Sequence, residues 1–488
     1  MKPSNILFIL SDEHSRRVLG CYGHQMIKTP NLDRLAARGV RFADAYTNSP
    51  ICVPARATLA TGRYPHQIRF WDNGIAYDGS VKSWHHRLRD AGHEVISIGK
   101  LHFRSEADDN GFTQEIMPLH INDGIGDPMG WLRTPLPVRK ATLRLAKDAG
   151  RGDSTYQDYD RKITDAAVDW LKARAGQPNP GEGGKPWCLF VSLVCPHFPL
   201  IARPEFYDLY PEDKVPLPAL RDPAARAPDH PYIAALRECQ IYERGFVDEA
   251  NVRRAIAAYF GLVTSTDHNV GRMLAALEAA GLAETTRVLY SADHGDNLGT
   301  RGLWGKSTMY EEAAGVPMIA AGPGLPQGMV CREPATLADA FPSIVKWTGV
   351  APHPDDRDLP GLPLDEVALA APRRTVLCEY HATGAATGAF MIRKGRFKFV
   401  YYAGMPAQLF DLDADPQETR DLALEAGYGG LVADCERELR AVVDPETADV
   451  LAKSDQAARI AAFGGREKIL SRGSFAYSPA PGTEAVFN

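Results

Sequence analysis

The sequence predicts an α/β protein: a large, mostly parallel central sheet sandwiched by helices, then a smaller C-terminal α+β subdomain with a short antiparallel sheet. Three observations carry this. Short continuous apolar runs, such as Ile6-Leu7-Phe8-Ile9-Leu10, Val95-Ile96-Ser97-Ile98 and Trp187 to Val194, have the texture of strands buried on both faces. Helical stretches alternate with them, which is the β-α-β rhythm of a parallel sheet. After about residue 370 that rhythm gives way to short apolar runs joined by tight turns.

In chain order, residues 5–10 read as the first strand. Thr29-Pro30-Asn31 opens a helix with Leu32, Leu35 and Ala36 on one face, closed by Gly39. Val40 to Tyr46 reads as a second strand. Residues 54–61 and 81–91 read as helices, the latter stopped by Gly92. Residues 105–160 carry Gly, Asp and Pro throughout and read as a long irregular segment of the kind that shapes pockets. Pro178 to Pro186 is a Gly/Pro linker before the strand at 187–194. Residues 250–280 form a long helix, with Ile256, Tyr259, Phe260, Val263, Val270, Met273, Leu274 and Leu277 at apolar spacing. Val288-Leu289-Tyr290-Ser291 and Met318 to Ala320 continue the sheet. Short strands follow at 376–377, 390–392 and 397–400, the last two joined by a hairpin at Arg393-Lys394-Gly395-Arg396, with a helix near 430–442. The expected division is a catalytic α/β domain over 1–370, an α+β subdomain over 371–445, and a tail over 446–488. The tail shows no clear element at its end and is a candidate for contacts between copies.

Composition bounds the function. The chain has 488 residues, a length that suits two or three domains. It carries 24% charged and 44% apolar residues and a formal net charge of −6, ordinary values for a globular protein. Disordered, coiled-coil and collagen-like chains are excluded. A slightly acidic chain without a long basic run is a poor nucleic-acid binder. No apolar run reaches the length of a membrane span, and the one at 6–10 is too short for a signal-peptide core, so the expected location is the cytoplasm. The eight cysteines form no C-x-x-C pair, which removes zinc ribbons and thioredoxin-like chemistry and leaves buried, reduced thiols for most of them.

Two strands end in acids: Asp12 follows Leu10-Ser11, and Asp293 follows Ser291-Ala292 with His294 beside it. In an open α/β sheet ligands bind beyond the carboxyl ends of the strands, so two carboxylates on one edge form a candidate site for a hard cation. An acid that merely caps the next segment is the plainer reading of either one alone. A dinucleotide site is disfavoured, because no G-x-G-x-x-G follows the first strand. The second feature is Cys52-Val53-Pro54-Ala55-Arg56. Pro54 suits a first helical position, which would set Cys52 just before the helix N-terminus, where the dipole favours an anion, with Arg56 aiming its charge back at it. A plain cysteine there would be an acidic, reactive thiol; the plainer reading is a buried structural one.

Cys-x-Pro-x-Arg followed by Leu59-Ala60-Thr61-Gly62-Arg63 resembles the modification motif of type I sulfatases, members of the alkaline phosphatase superfamily. Further blocks of that family stand in order: Gly99-Lys100-Leu101-His102, Pro196-His197-Phe198-Pro199, Asp293-His294-Gly295-Asp296-Asn297 with Arg301-Gly302-Leu303-Trp304 and Lys306, then Leu409-Phe410-Asp411-Leu412 with Asp415-Pro416-Gln417-Glu418. The resemblance covers about residues 4–424 and is nearest to choline-sulfatase-like and arylsulfatase members, with His at position 294. Val53, Ala60 and His93 depart from the common pattern. Glu13 stands where many sulfatases have a second metal-binding Asp, and it is left outside the ligand set.

The resemblance implies an alkaline-phosphatase-like fold and hydrolysis of sulfate monoesters, including arylsulfates, to an alcohol or phenol plus sulfate. It implies that Cys52 is oxidised to Cα-formylglycine by a maturation enzyme, a formylglycine-generating or equivalent one. One hydroxyl of the hydrated aldehyde attacks sulfur to give a covalent sulfo-enzyme; the second hydroxyl then loses its proton and sulfate is expelled. By the same resemblance Asp12, Cys52, Asp293 and His294 hold one divalent metal ion, Ca²⁺ or Mn²⁺. Arg56 and Lys100 orient the diol, His102 is the base for sulfate expulsion, and His197 and Lys306 bind the sulfuryl oxygens and assist the leaving group. Asn73 donates to the substrate, a small-molecule sulfate ester. A homo-oligomer, dimer or tetramer, is expected, with no nucleic acid or membrane partner. Rival readings are a phosphonate monoester or phosphodiester hydrolase of the same superfamily and a binding protein that keeps the fold without turnover. His85, His86, His230 and His353 read as surface or satisfied histidines, and Trp71, Trp131 and Tyr156 as either pocket walls or core.

Overall fold

The computed structural model describes residues 2–371 and 373–487. Eight strands build the central sheet: β1 (Asn5–Asp12), β2 (Gly39–Phe42), β3 (Glu94–Lys100), β4 (Gln114–Leu119), β5 (Trp187–Pro196), β6 (Thr286–Ala292), β7 (Met318–Ala321) and β8 (Met329–Cys331). Their spatial order is β8-β2-β7-β6-β1-β5-β3-β4. All neighbours run parallel except β7, which lies antiparallel to both β6 and β2. β1 is central: Leu10 pairs with Ser192 of β5 on one side and with Ser291 of β6 on the other. This register brings the carboxyl tips of β1, β5 and β6 to one edge, with the tip of β3 beside β5.

Side chains alternate to two apolar layers. Leu7, Ile9, Ile98, Val191 and Tyr290 face one layer, shared with helices α1 (Pro30–Ala37), α4 (Thr155–Lys172) and α5 (Glu249–Ala279). Ile6, Phe8, Leu10, Phe190 and Leu289 face the other, shared with α2 (Cys52–Thr61), α3 (Trp84–Asp90) and α6 (Ala340–Thr348). That two-sided cover is why the strands are apolar on both faces. The helices start where side chains satisfy their free N–H groups: Ser154 caps α4 and Asp248 caps α5, each accepting from a backbone N–H in the first turn. Helix α2 ends at Gly62, whose φ of 68° is the left-handed closure that glycine adopts freely.

The expected C-terminal architecture is present as a four-stranded antiparallel meander, β9 (Thr375–Tyr380), β10 (Ala389–Lys394), β11 (Phe397–Tyr402) and β12 (Met405–Asp411), with α7 (Gly429–Val442) packed on it. Two local expectations need correction. The strand expected over 40–46 breaks at Ala43-Asp44, and Ala45–Tyr46 pairs separately with Ala335–Thr336. The segment 105–160 is not wholly irregular: it contains edge strand β4, which carries Pro118 where an edge tolerates it, and the polar first turn of α4. The tail opens with two helices, α8 (Pro445–Phe463) and α9 (Arg466–Arg472); beyond them the described residues form no helix, and Phe475 to Ser478 return to the catalytic edge of the sheet.

The meander is joined to the main body by buried ion pairs. Glu311 lies between Arg16 and Lys398, whose Nζ is 3.0 Å from it and 2.8 Å from Glu418. Within the main body Glu312 lies between Arg17, at 2.5 Å, and Arg301, at 3.3 Å, and these two guanidinium groups donate to the Pro416 and Gln417 carbonyls beyond β12.

Candidate active site

Cys52 is the first residue of α2, not the residue before it, because extended Ile51 takes the cap position and Pro54 falls third in the helix. The Val53 N–H is satisfied by Asn73 Oδ1 at 3.2 Å. The Cys52 thiol is 1% exposed; its Sγ lies 3.1 Å from His294 Nε2, 3.2 Å from Lys306 Nζ and 3.6 Å from Asp12 Oδ1. The expectation of an acidic thiol is overturned. Burial, reinforced by the Asp12 charge, pushes the thiol up to about 11, so an unmodified cysteine here stays protonated near neutrality.

Arg56 makes the most informative contacts. The guanidinium is not aimed at residue 52, as the helical spacing suggested. Its Nη2 donates to Asp12 Oδ2 at 2.9 Å and its Nε to Asp293 Oδ2 at 2.7 Å, while Nη1 donates to the Lys100 carbonyl and to Ser192 Oγ. Lys100 Nζ also lies 2.7 Å from Asp12 Oδ2. One oxygen of each carboxylate is therefore held by Arg56 from behind; the other faces a common space, with Asp293 Oδ1 also accepting from the backbone N–H groups of Glu13 at 3.2 Å and His294 at 2.9 Å. Asp12 Oδ1 and Asp293 Oδ1 lie 3.7 and 3.6 Å from His294 Nε2. One donor atom each from Asp12, Cys52, Asp293 and His294 can be chosen so that all four lie within 4.8 Å of one another, and all four residues are buried. His294 Nδ1 is 3.0 Å from the Gly295 carbonyl, which fixes that nitrogen as the N–H and leaves Nε2 its lone pair. Two carboxylate oxygens, an imidazole nitrogen and residue 52 are a donor set that fits a divalent cation.

Around this set stand three basic residues. Burial opposes the Lys306 charge, but Cys52, Glu13 and the two aspartates outweigh it and hold the ammonium well above its ordinary range. His197 Nδ1 is 2.7 Å from the Phe198 carbonyl, and its Nε2 is 3.3 Å from Glu13 Oε2. Burial and the Lys306 charge hold His197 well below the usual imidazole range, so the ring is neutral and that contact is not an ion pair. His102 follows β3 with a left-handed φ of 56°; burial and the Lys100 charge hold its ring low as well. Glu13 is not in the four-residue donor set. It accepts from Lys306 at 3.3 Å and, with Asp12 and His197, forms a second, smaller group. Burial pushes its carboxyl up to about 8.

The eight positions Asp12, Cys52, Arg56, Lys100, His197, Asp293, His294 and Lys306 thus gather at one sheet edge, and Asn73 and His102 line the pocket that opens beside Cys52. Phe198, Tyr242, Phe475 and Tyr477 supply aromatic walls, and Asp127, paired with Arg139 at 2.9 Å, a charged one. None of these wall residues was singled out from sequence as part of the site. Trp71, Trp131 and Tyr156 are core: the indole N–H groups of Trp71 and Trp131 bond Asp455 and Asp72, and Tyr156 stands behind the wall. His85 and His86 are buried and bond backbone carbonyls, as satisfied histidines do.

A mostly parallel sheet with a buried cation-type site at its carboxyl edge is the frame on which the comparisons fall. The family model described as Sulfatase matches residues 4–350. The choline-sulfatase of Rhizobium meliloti is 34% identical over 433 residues, covering 86% of this chain and 82% of its own. The arylsulfatase of Clostridium perfringens is 28% identical over 461 residues, covering 88% and 92%. Among solved structures, the phosphonate monoester hydrolase of Agrobacterium radiobacter superposes with a TM-score of 0.70 at 23% identity, over 90% of this chain and 95% of that one. A protein in complex with its substrate D-glucosamine-2-N,6-O-disulfate superposes at 0.69 and 21%, over 91% and 99%. Both share the fold. The chain belongs to the sulfatase family, the sulfuric ester hydrolases. Among the described residues no helix is long and apolar enough to cross a membrane.

Proposed function

We propose that this protein hydrolyses small or aryl sulfate monoesters to an alcohol or phenol and inorganic sulfate, with residue 52 acting after oxidation of Cys52 to Cα-formylglycine by a maturation enzyme. The observation that carries the reading is the double grip of Arg56 on Asp12 Oδ2 and Asp293 Oδ2, which leaves the opposite oxygens, His294 Nε2 and residue 52 converging on one space. Replacing sulfur by oxygen at position 52 makes that donor set uniformly hard or borderline, the kind Ca²⁺ or Mn²⁺ takes. A cation held there supplies Lewis acidity to the oxygen at position 52 and neutralises the sulfuryl charge.

The side chains of the chain itself divide the remaining work. Arg56 positions the two aspartates, and Lys100 holds Asp12 from the same side. The Lys306 ammonium, 3.2 Å from Cys52 Sγ, sits where negative charge grows on the sulfuryl oxygens. His197 stands beside it and assists the leaving group, the proton for the departing ester oxygen coming from the charged Lys306, while His102 takes the proton released at residue 52 when sulfate leaves. Asn73 at the pocket mouth donates to the substrate. The aromatic walls suit an aryl or other apolar alcohol portion.

Peptide mass spectra test the reading. The aldehyde lowers the mass of the residue-52 peptide by about 18 Da, since a thiol CH₂SH becomes CHO and that carbon is the electrophile the chemistry uses. Active enzyme carrying only unmodified Cys52 would contradict it. A second reading, phosphonate monoester hydrolysis, is favoured by the shared fold of the Agrobacterium enzyme. Comparing kcat/KM on 4-nitrophenyl sulfate and on a phenyl phosphonate ester decides between them: sulfate turnover dominates if the first reading holds.

A further inference from the structure

The C-terminal tail reaches the site and touches one of its proposed proton carriers. Ser478 Oγ lies 2.8 Å from His102 Nε2, across 376 positions of sequence, in a buried contact. The serine is itself held: the Tyr156 hydroxyl donates to the Ser478 carbonyl at 2.6 Å, also buried, and the Tyr477 ring packs edge-on against Tyr156 at 5.2 Å. His102 needs such support. Its backbone is in a left-handed conformation uncommon for a non-glycine residue, fixed by its N–H to the Leu119 carbonyl at 2.8 Å. Among the described residues its Nδ1 is buried and has no hydrogen-bond partner. The ring is thus gripped at Nε2 and free at Nδ1, beside the pocket that holds residue 52.

We propose that Ser478 is a positioning residue for His102: its hydroxyl holds Nε2 and so turns Nδ1 toward the reacting groups. The proposal rests on the reading of His102 as a proton carrier. An imidazole rotated off its line keeps its substrate pocket but transfers protons poorly, so the effect belongs in kcat rather than in KM.

The test uses full-length enzyme with the residue-52 aldehyde confirmed by mass, and 4-nitrophenyl sulfate as substrate. Ser478→Ala is expected to lower kcat about tenfold, a fraction of the hundred- to ten-thousand-fold that acid–base catalysis supplies, with KM and the thermal midpoint nearly unchanged. Ser478→Thr, which keeps a hydroxyl, restores most of kcat. In a His102→Ala background Ser478→Ala causes no further loss, since the two act as one unit. Wild-type kcat in Ser478→Ala beside an inactive His102→Ala enzyme would overturn the proposal alone, as would a loss confined to KM or one that Ser478→Thr does not restore. A His102→Ala enzyme as fast as wild type would overturn the proton-carrier reading and this proposal with it.

Discussion

Two buried charge clusters draw on the same loops and end differently. The tip of β1 and the loop after it supply Asp12 and Glu13 to the catalytic edge and, a few residues on, Arg16 and Arg17 to the joint with the C-terminal meander. Beyond Lys306, the chain likewise supplies Glu311 and Glu312 to that joint. In the joint Glu311 is faced by two cations, Arg16 and Lys398, and Glu312 by two, Arg17 and Arg301, while Glu418 is held by Lys398 and the Glu311 N–H. At the catalytic edge Arg56 and Lys100 hold one oxygen of Asp12, Arg56 one oxygen of Asp293, and the other oxygens face a shared space. Burial and charge alone do not distinguish a site from a structural joint. Carboxylate oxygens that no arginine or lysine takes up, pointed at one place, do.

The sharpest break of that comparison is at Arg56. Lys cannot reproduce a fork that bonds two carboxylates at once, so Arg56→Lys is expected to lower kcat on 4-nitrophenyl sulfate by about a thousandfold while the thermal midpoint stays within a few degrees. A loss of less than tenfold would show that the carboxylates are positioned without the fork. In the joint the signs reverse. Lys398→Met leaves Glu311 with Arg16 alone and Glu418 with only the Glu311 N–H, and is expected to cost about 3 kcal/mol in a urea titration, with kcat of the folded enzyme close to wild type. A fall in kcat with unchanged stability would merge the two clusters into one functional unit.

An effect confined to acid pH comes from another buried acid, Glu379, bonded by His66 at 2.8 Å and His381 at 3.0 Å. Burial alone would raise its carboxyl, but His66 and the His381 hydrogen bond outweigh that and bring it from 4.5 to about 2. A depressed folded-state value contributes stability above pH 4.5 that is lost as pH falls toward 2, about 3 kcal/mol at 1.36 kcal/mol per unit. Unfolding midpoints between pH 5 and 2.5 should therefore fall less steeply in Glu379→Gln than in wild type. Parallel slopes would remove Glu379 from the acid limb.

Much of the site was legible because strands of one parallel sheet carry it. Asp12, Lys100, Asp293 and His294 stand at or just beyond strand ends, and the register of β1 with β5 and β6 converts those ends into neighbours. Cys52 and Arg56 were legible as residues but not as contacts: the helical spacing gives a face, whereas the partner of a long guanidinium depends on which strand tips lie within reach. The β4 edge strand and the start of α4 were hidden by Pro118 and by the polar run Thr155 to Asp160, part of which serves backbone groups of β5: the Asp160 carboxylate accepts from the N–H groups of Val194 and Cys195. The tail was hidden for a different reason. Phe475, Tyr477 and Ser478 form no periodic pattern, and a contact across 376 positions leaves no local trace in the chain.

The measurement that bears most directly on the convergent donor set is metal content combined with calcium titration of the purified protein and of Asp293→Asn, which loses one of the two presented carboxylates. A convergent donor set binds one equivalent of divalent cation per chain in the wild type, with activity lost on chelation and regained on calcium or manganese addition, and far weaker binding in the variant. A full, equally tight equivalent in Asp293→Asn, or a fully active wild type that holds no metal, would contradict it.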